Sequence, residues 1–126
     1  MAAQPIVHIE FPALDPKAAS TFYADVFGWQ IQTPPGFDDY PMFQADGGPG
    51  GGFIRIGSTE GGRLQRNAGE PLIYLASQDI DDDLRRVQAN GGQIVLPKTE
   101  IPQVGWFAVF QDPSGNKVGL FTDRQQ

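Results

Sequence analysis

One half of this 126-residue chain repeats the other. Sliding the sequence by 64 residues, the separation of His8 and Leu72, brings its landmarks into register without a gap. Asp15 meets Asp79 at two helix starts, Gly28 meets Gly92 beyond two helix ends, and Phe43 meets Phe107. Pro49 and Gly51 meet Pro113 and Gly115 in two turns. A repeat of this length is one supersecondary unit used twice. In the first copy, Ile6 to Phe11 is short, β-rich and stopped by Pro12, as a strand should be. The following "LDPKAASTFYADVFG" carries its own helix signals: Asp15 to cap, Pro16 at the first position, and Gly28 for the left-handed end. Strands are expected near Trp29 to Thr33, Pro41 to Ala45 and Gly52 to Gly57. The second copy gives a strand at Leu72 to Ala76, the helix "DIDDDLRRVQANGG", and strands at Gln93 to Leu96, Trp106 to Gln111 and Lys117 to Thr122. The expected class is therefore α+β, with two tandem βαβββ modules whose curved mixed sheets enclose a cleft. Module 1 covers about residues 5–57 and module 2 about 70–123, joined within one domain by a polar linker over 58–69.

Composition narrows the chemistry. Nine Lys and Arg against fifteen Asp and Glu give a formal charge of −6 with no basic cluster, so nucleic acid is not an expected partner. The absence of cysteine excludes disulfides, thiolate zinc and a cysteine nucleophile. The N-terminal sequence lacks the pattern of a signal peptide, and no stretch reaches the roughly 18 apolar residues of a membrane span. A cytoplasmic protein with no membrane partner is the expectation. "GGPGGG" is followed by neither a lysine nor a helix, so it reads as a turn rather than a phosphate loop. "DIDDD" sits where acidic residues favour a helix N-terminus and lacks calcium-loop spacing.

Three stretches carry a family resemblance: "VHIEFPALDPKAASTFYADVFGW", "YLASQDIDDDLRRVQANGGQIV" and "GWFAVFQDPSGNKVGLF". In this order, with the repeat, the chain resembles the vicinal oxygen chelate superfamily, the glyoxalase, bleomycin-resistance and extradiol dioxygenase group, and within it a glyoxalase-like branch. The resemblance implies metal ligands on the first and last strand of each module. Transferred through the repeat, the four positions are His8, Arg55, Leu72 and Gly119. Only His8 is a donor of the kind that divalent metals need, and a guanidinium would put a fixed positive charge at the ion. No metal and no other cofactor is therefore expected, a divalent ion at His8 being the alternative.

Alternation along the strands places His8, Glu10, Phe53, Arg55, Leu72, Tyr74, Gly119 and Phe121 on the cleft face, with Trp106 either packed or at its mouth. That set suits a small, partly hydrophobic ligand held by a few polar contacts. Two functions follow: a binding protein without metal, or a lyase, isomerase or epimerase with His8 or Glu10 as general base and Arg55 steadying an oxyanion. Alternatively Glu10 and Arg55 only neutralise one another, and His8 is an interior residue. Nine phenylalanines, three tyrosines and two tryptophans leave aromatic surface for an interface, and a homodimer is expected.

Overall fold

The computed structural model describes residues 3–124. Its elements are β1 (Ile6–Ala13), α1 (Pro16–Phe27), β2 (Gln30–Gln32), β3 (Met42–Gln44), β4 (Gly50–Arg55), β5 (Leu72–Ala76), α2 (Ile80–Ala89), β6 (Gln93–Ile101), β7 (Gly105–Gln111) and β8 (Lys117–Asp123). This is the α+β architecture of two βαβββ modules. The chain forms two compact units, one spanning Val7–Leu72 and the other running from Ile73 onward together with the N-terminal residues through Ile6.

In the first unit the strands lie in the order β2-β3-β4-β1, with β1 and β4 parallel and the hairpins antiparallel. Asp15 caps α1 by accepting from the backbone N–H groups of Lys17 and Ala18 at 3.1 and 3.4 Å, and Gly28 ends it at φ 75°. Ile9, Phe11 and Ala13 alternate onto the face that α1 covers. There they pack with Phe43, Phe53, Tyr23 and Trp29 into an aromatic core. Ring centroids stand 4.2 Å apart for Trp29 and Phe43 and 4.8 Å for Tyr23 and Trp29.

The second unit repeats the pattern as β5-β8-β7-β6. Its core is Ile80 and Leu84 of α2 against Ala108 and Leu120, with Leu75, Trp106 and Phe110 beside them. Asp83, buried in α2, accepts from Ser77 Oγ at 2.6 Å and from the Gln4 side chain at 2.9 Å. Two expectations shift here. The left-handed residue after α2 is Gly91 (φ 92°), one before the Gly92 that the repeat matches to Gly28 and that is wedged against Val87. β6 continues past Leu96 to Ile101, absorbing Pro97 at register irregularities on either side of Leu96, as a strand proline requires.

That longer strand alters the internal repeat. Glu10 pairs with Gly52 across β1 and β4, and Tyr74 pairs with Gly119 across β5 and β8. Glu10 and Tyr74 are 64 residues apart, but Gly52 and Gly119 are 67 apart. The structural counterpart of Gly119 is therefore Gly52, not Arg55. A three-residue displacement is odd, so it reverses which face a strand residue occupies.

Candidate functional site

The reversal moves two of the expected residues. Phe53 lies on the α1 side of the first sheet, fully buried among Phe11, Tyr23 and Phe43. Arg55 is exposed at the end of β4, where its guanidinium donates to both oxygens of Asp39 at 2.7 and 2.8 Å and to Leu14 O. Glu10 and Arg55 make no pair. Trp106 alternates onto the α2 side, flanked by the Arg124 guanidinium at 4.6 Å and the Lys98 ammonium at 5.6 Å. Tyr74 and Gly119 are brought together on the face opposite α2, where the Tyr74 ring lies on the glycine so closely that a Cβ there would fall 2.4 Å from it. Phe121 shares that face by alternation, and Leu72 is buried at the start of β5.

His8 and Glu10 occupy the face of β1 opposite α1 and are the centre of a polar cluster inside the Val7–Leu72 unit. Across from Glu10, Gly52 leaves room for the Tyr40 ring, to which a Cβ would approach within 2.3 Å. Tyr40 Oη donates to Glu10 Oε2 at 2.6 Å. Arg63 Nη1 donates to the same oxygen at 2.7 Å, its guanidinium 4.5 Å from the centre of the Tyr40 ring, and Arg66 Nη2 donates to Glu10 Oε1. Both arginines come from the stretch 58–69, which reads in sequence as a connector. Glu10 is only 1 % exposed and Arg66 6 %. Burial alone would raise the Glu10 pKa, but Arg66 and Arg63, with the Tyr40 hydrogen bond, hold it below the usual glutamate value. The carboxylate is ionised and pairs with both guanidiniums.

His8 Nε2 stands 2.7 Å from Tyr40 Oη. The one phenolic proton is directed to Glu10, so the network assigns the histidine proton to Nε2, donating to the tyrosine oxygen. Burial lowers the His8 pKa; Glu10 opposes this, and Arg63 and Arg66 add to it. The ring is therefore neutral at pH 7. Because His8 is the single histidine, its ring protons can be followed by NMR without overlap, with an expected midpoint below 6.5. Since the unfolded state then binds the proton more readily, this stabilisation is complete above the unfolded pKa and is lost as pH falls through the folded one. A midpoint at or above 6.5 would show a solvated ring.

The cluster does not fit a divalent metal. Both Glu10 oxygens already accept from cations, the His8 nitrogen facing Tyr40 carries a proton, and an added ion would meet two guanidiniums. Among the described residues no three His, Asp or Glu side chains are placed to hold one. Sequence reasoning missed Tyr40, Arg63 and Arg66. The signal was indirect: a glutamate in an otherwise apolar strand needs a buried counter-charge, and Arg63 and Arg66 were available in an acidic chain.

With this fold and site described, the comparisons define the class of protein. A profile of the Glyoxalase/Bleomycin resistance protein/Dioxygenase superfamily matches residues 5–120, and the chain belongs to that superfamily. It is 30% identical over 125 residues to CFP32 of Mycobacterium bovis, which carries glyoxylase in its name. That match takes in 90% of this chain and 43% of the relative, so the chain spans less than half the length of this curated protein. A glyoxylase-like domain-containing protein of Didymella fabae is 30% identical over 116 residues, with 90% of each chain covered. Among solved structures, methylmalonyl-CoA epimerase from Mycobacterium tuberculosis shares the fold at a TM-score of 0.74 and 14% identity, covering 99% of this chain and 93% of its own. No helix among the described residues is long and apolar enough to cross a membrane.

Proposed function

We propose that the chain is a metal-independent, small-molecule-binding member of its superfamily that takes a ligand bearing an anionic oxygen beside apolar surface. One observation carries this reading. Arg66 is buried and uses only Nη2 on Glu10, while its Nε and Nη1 have no hydrogen-bond partner among the described residues. A buried guanidinium with idle donors is complementary to a carboxylate or enolate oxygen. Glu10 in this reading is the counter-charge that positions the arginines. Its lowered pKa makes it a poor base. If the protein turns over a carbonyl compound, Arg66 steadies the enolate oxygen and His8, neutral at pH 7, is the proton acceptor. We further infer a homodimer.

A thermal-shift comparison of matched pairs, benzoate against benzamide and phenylpyruvate against phenylacetone, tests the ligand class. Carboxylates should raise the Tm and their neutral partners should not; saturation at 100-fold above Kd adds about 2.7 kcal/mol. The shift, measured from each variant's own unliganded Tm, should shrink at least tenfold in apparent affinity for Arg66→Gln. Equal response to charged and neutral partners would defeat the proposal, as would one equivalent of Zn²⁺ or Ni²⁺ retained after dialysis and lost in His8→Ala.

A further inference from the structure

The outer faces of the two helices differ in kind. On α2 the exposed arginines are paired within the helix, Arg85 and Arg86 each lying 3.2 Å from Asp82, and the exposed Asp81 pairs with Lys98. On α1, Ala18, Phe22 and Val26 follow one another at four-residue spacing and are all exposed, Phe22 and Val26 at 55 %, and Leu14, 83 % exposed, stands just before the Asp15 cap. Phe27 extends the patch at the helix end. Four-residue spacing makes a continuous ridge on a helix. Nothing in α1 itself needs these residues: its inner face already buries Tyr23 and Ala19 against the aromatic core.

A second row runs beside the ridge at the same spacing: Lys17, Thr21 and Asp25, each exposed. Among the described residues neither Lys17 nor Asp25 makes an ion pair within its own chain. The row has opposite charges at its ends and a small polar residue midway. Placed antiparallel to a copy of itself, it sets Lys17 against Asp25 twice and Thr21 against Thr21. The same placement drops Phe22 between Ala18 and Phe22 of the other copy and brings Val26 to the first turn of its helix, beside Ala18. One register thus satisfies the ridge and the charges together. A foreign partner would have no reason to match both.

We propose that a second copy of this chain docks on α1, antiparallel, about a two-fold axis at Thr21. The proposal rests on the homodimer inferred above and specifies its interface. A C2 interface is self-complementary by necessity, which is the property the Lys17–Thr21–Asp25 row has. Because the chain lacks cysteine, a single introduced thiol reports the register directly.

Sedimentation equilibrium at micromolar concentration should give twice the 13.7 kDa chain mass. Phe22→Glu should give the monomer while its melting curve stays cooperative, since Phe22 is exposed in the isolated chain. Lys17→Glu should weaken the dimer at least tenfold, and the double change Lys17→Glu with Asp25→Lys should restore it. Oxidised Thr21→Cys should run as a covalent dimer and Arg85→Cys, on α2, should not. A wild-type monomer overturns both the homodimer and this interface. A dimer indifferent to the α1 substitutions overturns the interface alone and leaves the homodimer standing.

Discussion

Glu10→Ala is expected to lower the unfolding free energy at pH 7 by about 3–5 kcal/mol, the usual cost of stranding buried cations without their counter-charge. For a domain of this size that is a fall in Tm of about 10–20 °C. Three groups lose an acceptor at once: Tyr40, Arg63 and Arg66 all donate to this carboxylate. The pH dependence identifies the cause. Glu10 has a folded pKa below its ordinary value, so the unfolded state binds its proton more readily. Its contribution is complete above the unfolded pKa of about 4.3 and drains away as pH falls through the folded value. Urea titrations at pH 7, 5 and 3 should show the gap between wild type and Glu10→Gln narrowing toward the acid end. A gap that is absent at pH 7, or constant with pH, would mean that the arginines do not depend on Glu10. Replacing all three charges, Glu10→Met with Arg63→Met and Arg66→Met, should recover much of the loss, because removing a buried ionic cluster whole is far cheaper than breaking it.

Phe53→Ala is expected to cost about 3–5 kcal/mol. The ring is fully buried, with centroids of Phe43, Tyr23 and Phe11 at 5.4, 5.5 and 6.0 Å, and the strands around it leave the hole little freedom to collapse. The outcome separates two placements of this residue. A ring facing a ligand could be trimmed at modest cost in stability and large cost in affinity; a core ring behaves the other way. A denaturation midpoint unchanged by Phe53→Ala would show that the β1–β4 register is wrong, since the pairing of Phe11 with Phe53 puts both on one face.

Much of the architecture was legible because it is written in local signals. Asp15 and Asp79 cap the helices, Pro16 opens the first, and strand alternation in β1 correctly separates His8 and Glu10 from Ile9 and Phe11. The site was less legible, for two physical reasons. Arg55 and Phe53 were assigned to a face by carrying a gap-free repeat through a region where β6 is longer than β2, and an odd offset cannot be seen in landmarks such as Phe43 that find a phenylalanine in either register. Arg63 and Arg66 lie 53 and 56 residues from Glu10, in a segment without periodicity, so no local pattern announces that they fold back onto it.

The tyrosine ring seated on a glycine occurs in both modules, yet the two rings come from positions that are not equivalent. Tyr40 reaches Gly52 from the loop before β3, whereas Tyr74 reaches Gly119 from the first strand of its module, at the place that Glu10 fills in the other. The glycines are counterparts and the tyrosines are not. What the two modules share is thus a hollow rather than a residue, and each fills it from a different element. The backbone register separates the two rings: the Tyr40 ring comes with a carboxylate to bind, and the Tyr74 ring stands at the position that the carboxylate holds in the other module.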